Sequence, residues 1–574
     1  MAAAARGGGG GGGEFKNYAD IEEHFNNMAL EGMSAQDRMD CIVHQITSFL
    51  PPPLVPAPEA DDSDDDHFSL TSSDSEDDAA VSPAAQGGDG QDHTGRLPRS
   101  LLSNIISRLP TKEAARAMVL SARWRGAWAA TPLLLDDAHF RTDDARRMFD
   151  AVRAVSRCVA AHPGPVRAVR VTRTSFYHQE YALQRLLAGL AAKNIQDLIL
   201  FNRPWPLNLP LPKEILSCAS LTRLYIGVWH FPDITPARRP AFPNLHELGL
   251  FHSIIEDKKF EALLAHCPKL EILSFAIAYN CPARPRIKSR SLRVVSEWIC
   301  SFDKIIIEDA PCLERLLFES VAFSERRRPI KIVHASRLEV LGVLDLQLHT
   351  LEIGGTVIRA GMTMKDGAML PCLKILAVKV RFSHDKEVKM LHTLLRCFPR
   401  LETLHIMSIP STSPDSGDCA ETWNSLGSAD CLSHLKKFVL HGFQGLDREQ
   451  LFVSYILEKG IKTLGIVYGD SDDVLVKGGL VQGSVGEGNA QSGGSSSSDS
   501  DDVVMEADPI SGSGNAPSAG NSGSGIYVCP AFPCWTLQHA IDLSVEDPFC
   551  VLRHDKACIA SFADAMRLCA SLGC

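Results

Sequence analysis

Between Val166 and Ile466 the chain repeats one short pattern eleven times: an apolar residue, any two residues, a second apolar residue, any one, and a third. Copies begin at Val166, Ile195, Leu221, Leu245, Leu270, Leu313, Leu338, Leu373, Leu401, Leu435 and Ile461, mostly 24 to 29 residues apart, with longer or doubled steps where units are degenerate. A period of that size is the mark of a solenoid, in which each unit adds one strand to a parallel sheet and is stabilised by its neighbours. Helices fit between the strands. Phe260, Leu263 and Leu264 precede His266-Cys267-Pro268, and Val388, Leu391, Leu394 and Leu395 precede Cys397-Phe398-Pro399. Each proline stops a helix and turns the chain toward the next strand. The expected fold class is α/β, a curved parallel sheet with helices on its outer side.

Side chains alternate across a strand, so the residues between the apolar ones are predicted to line its exposed face. They include Thr222, Arg223, Tyr225, His246, Glu247, Glu314, Arg315, Glu402, Thr403 and His405. Among them Arg223, Tyr225, His246, Glu247, Arg315 and His405 are the candidate target-binding residues. Their mixed character suits a protein partner, whereas nucleic acid would favour a uniformly basic stripe.

Charge divides the chain unevenly. Residues 1–95 hold 19 acidic against three basic residues, a net of −16 in a chain whose total is −11, so the remainder sums to +5. That acidic arm is expected to be disordered, with one short amphipathic piece from Ile42 to Leu50. Residues 476–525, dominated by Gly and Ser, read as a flexible linker. Serines beside acids in both tracts, Ser73 and Ser75, Ser498 and Ser500, have the form of acidophilic kinase sites within solvated linker. Residues 526–574 form a small C-terminal segment in which Ile559, Phe562 and Met566 lie at helical spacing, as if to dock on the solenoid. No run approaches the length of a membrane span and the N-terminus lacks an apolar signal core. Seventeen cysteines without a CxxC pair read as reduced, mostly buried thiols of an intracellular protein, in the nucleus and/or cytoplasm.

The segment 96–140 is a helical unit of another kind. Leu101, Leu102, Ile105, Ile106 and Leu109 share one helical face, with Pro98 at its start and Pro110 at its end. Thr111 stands where a second helix needs a cap, and Trp124, Ala127 and Trp128 give a third face. So small a unit cannot bury all of these residues internally, which implies an apolar docking surface.

Leu97-Pro98-x3-Leu102-x2-Ile105-x3-Leu109-Pro110, followed by Leu120-Ser-Ala-Arg123-Trp124-Arg125-x2-Trp128-x3-Pro132, resembles the plant F-box. Two departures stand out: Thr94-Gly95-Arg96 replaces the usual acidic residue and serine, and Ala114-Ala115 stands where Leu is common. The repeats at 141–420 are of the leucine-rich type. In residues 421–475, Trp423-x7-Cys431-Leu432-x2-Leu435-Lys436-Lys437-Phe438 leads to Gly442-Phe443-x-Gly445 and a helix with Glu449, Leu451, Phe452, Tyr455 and Ile456, which resembles the FBD module, read here as capping the last strand edge. Together these imply a non-catalytic substrate-recognition subunit of an SCF-type ubiquitin ligase. The F-box would dock a Skp-type adaptor, and through it a cullin scaffold, by Leu97, Pro98, Leu102, Ile105, Leu109, Pro110, Leu120 and Trp124; the repeats would hold an unknown target protein. A leucine-rich scaffold outside any ligase and a small-molecule receptor are the alternatives.

No catalytic constellation emerges. Gly7 to Gly13 matches GxGxxG only as a homopolymer with no strand before it. Cys529, Cys534, His554 and Cys558 offer zinc-like spacing, but Pro530 and Pro533 stiffen the first pair awkwardly, and no metal or other cofactor is expected. Arg326-Arg327-Arg328 reads as a solvated loop, and His266 and His434 as structural histidines.

Overall fold

The computed structural model describes residues 50–51, 97–109, 111–139, 145–202, 209–234, 239–278, 281–298, 300–319, 327–362, 370–410, 432–468, 537–549 and 558–560. Expectations for the acidic arm other than Leu50, the linker, Pro110, Arg326, Trp423, Cys431, Cys529, Cys534, His554, Phe562 and Met566 lie outside them.

The helices are α1 (Arg99–Ile106), α2 (Thr111–Arg116), α3 (Ala122–Ala130), α4 (Ala145–Ala161), α5 (Glu180–Ala192), α6 (Asp257–Ala265), α7 (Asp385–Cys397), α8 (Asp447–Leu457) and α9 (Leu537–Ile541). The strands are β1 (Leu133–Asp136), β2 (Val166–Val171), β3 (Asp197–Phe201), β4 (Arg223–Gly227), β5 (Glu247–Phe251), β6 (Ile272–Ala276), β7 (Arg286–Lys288), β8 (Val294–Trp298), β9 (Ile305–Asp309), β10 (Arg315–Glu319), β11 (Arg328–Ile332), β12 (Val340–Asp345), β13 (His349–Ile353), β14 (Thr356–Val357), β15 (Ile375–Val380), β16 (Thr403–Ser408), β17 (Lys437–Phe443), β18 (Thr463–Tyr468) and β19 (Cys558–Ala560).

One large sheet runs in the order β1-β2-β3-β4-β5-β6-β8-β10-β12-β15-β16-β17-β18-β19, parallel up to β18. The second apolar position of each motif, among them Leu198, Leu224, Leu248, Leu273, Leu316, Leu376 and Leu404, is fully buried on one side of this sheet. Against it pack Leu186 and Leu190 of α5, Phe260 and Leu263 of α6 and Leu391 and Leu394 of α7. Among the described residues, helices cover only the two ends of that side. In the middle the chain returns through β7, β9, β11 and β13, which form a second parallel sheet closed by the antiparallel β14. Their Ile287, Ile305, Ile307, Ile330, Ile332, Leu351 and Ile353 fill the positions that helical residues fill elsewhere. The isoleucine-rich alternation of these returns favours strand over helix.

Two motifs differ from expectation. The long step between Leu270 and Leu313 hides a repeat, Leu292-x2-Val295-x-Glu297, whose third position is a carboxylic acid. At β12 the register shifts between Leu341 and Leu344, with Gly342 at φ +139°, so that Leu344 takes the inner site and Val343 turns to the other face. A Cβ on Gly342 would lie 2.4 Å from the Ala377 carbonyl oxygen, so only glycine fits.

The junction at residue 140 is not a clean boundary, because β1 belongs to the helical unit yet opens the large sheet. Just after it, the buried Asp137 accepts from the backbone N–H of Thr172 (3.0 Å) and Arg173 (2.7 Å) and from the Thr174 hydroxyl (3.0 Å). The His162 ring hydrogen-bonds the Thr131 carbonyl at 3.0 Å and meets Trp128 edge-on. At the other end β18 pairs with β19, so the C-terminal segment covers that edge; Ile559 is in a strand, not the expected helix. The 421–475 region supplies β17, α8 and β18. In α8 Phe452, Tyr455 and Ile456 are buried as expected, but Leu451 is exposed. Buried Glu449 accepts from the N–H of Gln444 and Leu446, each at 3.0 Å, and from the Ser408 hydroxyl.

Candidate functional site

The candidate site residues fall on two surfaces. The first is on the helical unit. Pro98 heads α1, its carbonyl accepting from Leu101 and Leu102, and the Ser121 hydroxyl caps α3 by accepting from the Trp124 N–H. Thr111 does not cap α2; its hydroxyl donates to the Leu134 carbonyl and ties the unit to β1. A small core of Leu102, Ile106, Ala114, Ala117, Trp124 and Ala127 holds the three helices together. Leu102 and Trp124 are thus interior residues that shape the unit, not the contact surface expected of them. Leu97 and Leu109 are half-buried against that core and Pro98 is exposed. Ile105 and Leu120 are exposed as expected. Two neighbours complete the patch: Leu101, 49% exposed, and Val119, 85% exposed. In the sequence, the apolar run Met118-Val119-Leu120, longer than one helical face can bury, is the signal for the second.

The second surface is the sheet face opposite the helices. Its lower rim is a ladder of one residue per repeat in which each N–H donates to the preceding repeat, from His246 to Thr222 through Glu271, Arg293, Glu314, Glu339, Lys374 and Glu402 to Lys436. The side chains alternate in sign along much of it. His246 bonds Glu271 at 3.1 Å, Arg293 grips Glu314 by two bonds of 2.9 and 3.0 Å, Lys374 pairs with Glu339 at 3.0 Å and Lys436 with Glu402 at 2.6 Å. Neighbouring repeats satisfy one another's charges here.

Above the rim the face is apolar and largely covered. Ile199, Phe201, Tyr225, Phe251, Leu317, Val340, Ile375 and Met407 form a second buried cluster. The Phe201 ring lies over Gly227 and the Tyr225 ring over Gly249; a Cβ on either glycine would stand about 2 Å from the ring, at 2.1 and 2.2 Å. The Tyr225 hydroxyl donates to Glu247, and Arg223 to Asp197. Burial pushes the Tyr225 hydroxyl well up and raises the Glu247 carboxyl, against the hydrogen bond from Tyr225 and the charge of Arg223. Leu50 closes on this cluster, and the Arg170 guanidinium donates to the Pro51 carbonyl at 2.8 Å.

Residues 537–549 lie across the later repeats of the same face. Leu537, Ala540 and Phe549 join its apolar cluster. Arg315 donates to the carbonyls of His539 and Ala540 at 3.1 Å, of Asp542 at 3.0 Å, and of Val545. The Asp547 carboxylate meets His405 Nε2 at 3.0 Å and Lys437 Nζ at 2.9 Å, and His405 Nδ1 lies 3.2 Å from His441 Nε2. Burial works to raise the Asp547 carboxyl, but its bonds to His405 and Lys437 outweigh that and hold it well below the carboxylate range. Burial, helped by His405, pushes His441 down to about 3. The expectation of an open face therefore fails for Tyr225, Arg315 and His405, which are buried. Tyr225 packs flat on its neighbour, while the chain's own C-terminal segment covers Arg315 and His405. Arg223 and Glu247 are half-buried in pairs, and only His246 stands at the surface. Sequence spacing identified the face, and a docked C-terminal segment was expected, but through Ile559, Phe562 and Met566 and not through residues 537–549 on this face.

Other expectations resolve locally. Arg328 is buried, its guanidinium donating to the Cys300 carbonyl between the two sheets. His266 Nδ1 accepts from the Ala241 N–H at 3.0 Å, a structural role. Cys218, Cys267, Cys300 and Cys397 are free and buried, and burial pushes Cys218 and Cys267 up to about 12, which keeps these thiols protonated and inert. Among the described residues no group of His, Cys, Asp or Glu could hold a metal ion, and no helix is long and apolar enough to cross a membrane.

Comparison with known proteins matches three family models in order along the chain. They are the F-box domain at residues 95–135, the LRR repeats of FBD-associated F-box protein At5g56370 at 183–406, and FBD at 429–461. An F-box/FBD/LRR-repeat protein of Arabidopsis thaliana is 28% identical over 192 residues, 33% of this chain and 45% of the relative. An Arabidopsis F-box/LRR-repeat protein is 25% identical over 350 residues, 57% of this chain and 74% of the relative. Another Arabidopsis F-box/FBD/LRR-repeat protein is 25% identical over 399 residues, 64% of this chain and 87% of the relative. The chain thus spans under half of the first relative and most of the other two.

Proposed function

We propose that this chain, in which an F-box, leucine-rich repeats of the FBD-associated type and an FBD follow one another, is the substrate-recognition subunit of an SCF-type ubiquitin ligase. The F-box docks a Skp-type adaptor carried by a cullin, and the repeats hold a target protein beside the ubiquitin-carrying enzyme, in the nucleus or cytoplasm. The chain forms no bond itself; it raises the effective concentration of target lysines by tethering.

One observation carries this reading: Leu101, Ile105, Val119 and Leu120 stand exposed on a helical unit that has already closed its own core. Large apolar side chains gathered on so small a unit mark a partner's seat. A double change, Ile105→Lys with Leu120→Lys, is expected to abolish co-precipitation of adaptor and cullin while the repeats keep their melting temperature. Retention of both partners by the doubly charged protein would reject the ligase reading.

A further inference from the structure

The segment that covers the sheet face is held in part by contacts that do not read its side chains. Arg315 takes backbone carbonyls, and those of His539 and Ala540 belong to the end of α9, where carbonyls lack intrahelical partners. A guanidinium offers five donors in a fixed fork, so it serves any helix end presented there. Asp547 is held through its charge, by His405 and Lys437. Leu537, Ala540 and Phe549 contribute apolar area. In the sequence a stretch dominated by Gly and Ser joins this segment to the last repeat.

We propose that this face is a peptide-binding site and that residues 537–549 are its resident intramolecular ligand. A target displaces them with a segment of the same chemistry: one apolar helical turn with open C-terminal carbonyls, then a carboxylate about six residues on, as Asp547 follows Ile541. The idea rests on the reading of the repeats as the target-holding part. A tethered ligand competes at an effective concentration up to the millimolar range. The receptor is therefore closed to weak peptides and opens to tight ones, or when the segment is loosened.

Full-length protein and two release variants, Ala540→Glu and Asp547→Lys, test this, since neither alters the sheet. The probe is a fluorescent synthetic peptide of residues 536–549, followed by anisotropy, with hydrogen exchange at 540–545 in parallel. Both variants are expected to lose protection in that segment and to bind the peptide at least about tenfold more tightly than the parent. Adding Arg315→Ala should remove that binding. Release without uptake of the peptide would overturn the proposal and make the segment a plain cap. Continued protection of the segment in step with the strands in both variants would overturn it too. Adaptor co-precipitation from the same preparations reads the F-box assignment alone, so either idea can fail without the other.

Discussion

The two faces of the large sheet are built from alternate residues of the same strands, yet they solve burial differently. On the inner face leucines from every repeat meet helices or the second sheet, and the core is continuous from Leu133 to Ile466. On the opposite face the apolar residues cluster in patches, and closing them takes Leu50 and residues 537–549 from far along the chain. The inner face is where the repeats hold one another; the other is where they hold segments from elsewhere in the chain. Stability should therefore be concentrated on the first and be partly separable on the second.

The sharpest way to break that contrast is Leu273→Ala. Leu273 is fully buried on the inner face, so the loss should be about 2–5 kcal/mol, felt by adjoining repeats. Thermal and urea melts check it, and a loss under 1 kcal/mol would mean that the inner face does not dominate.

Glu297 is the inner face's own exception. Burial pushes its carboxyl up to about 7, with the nearby Arg328 charge opposing. A raised value means the folded state keeps a proton that the unfolded chain releases near pH 4.5, so stability falls as pH rises from there through about 7. The decline should total roughly 3 kcal/mol. Glu297→Gln should flatten it, as read from urea midpoints at pH 5 to 8.

On the other face Asp547 works in the opposite sense. Its depressed value means that its contribution to docking of 537–549 is present above the ordinary carboxylate range and falls away as the pH drops through that range into strong acid. His405, Lys437, His441 and Arg315 are the charged or titratable groups around it. Asp547→Asn should cost about 1–2 kcal/mol of local protection, visible by hydrogen exchange at 540–545, while the core strands stay unchanged. The smallest effect belongs to an exposed loop position: Lys269→Ala, which removes one exposed hydrogen bond to Asn244, should shift stability by no more than about 0.5 kcal/mol.

Much of the inner face was legible because its rule is local. Leu245, Leu248 and Leu250 declare their strand and their side within six residues. The rule failed where burial was satisfied by other chemistry. Glu297 concealed a strand because a carboxyl at an inner site needs Arg328, a residue that looked like loop charge. Val343 pointed the wrong way because Gly342 admits an extra residue. The second sheet does not stand out in the sequence because its runs, such as the five residues Arg328–Ile332, are too short for alternation to tell strand from loop. The cover on Arg315 and His405 was illegible for a different reason: bonds to backbone carbonyls leave no trace in residue types. On the helical unit, spacing located the patch but did not separate Leu102 and Trp124, which face inward, from Leu101 and Val119.

The seam at Asp137 has a mechanical consequence. Since β1 of the F-box unit is the first rung of the same sheet, the unit is welded to the repeats, not hinged on them. Parallel strands are spaced about 4.8 Å apart, so thirteen of them form a ruler of roughly 60 Å graduated in those steps. Arg315, seven rungs from β1, stands at roughly 35 Å on it. On the proposed function, cargo seated at a given rung would be presented at a set distance and angle from the adaptor, and moving the seat by one repeat would change which of its lysines come within reach.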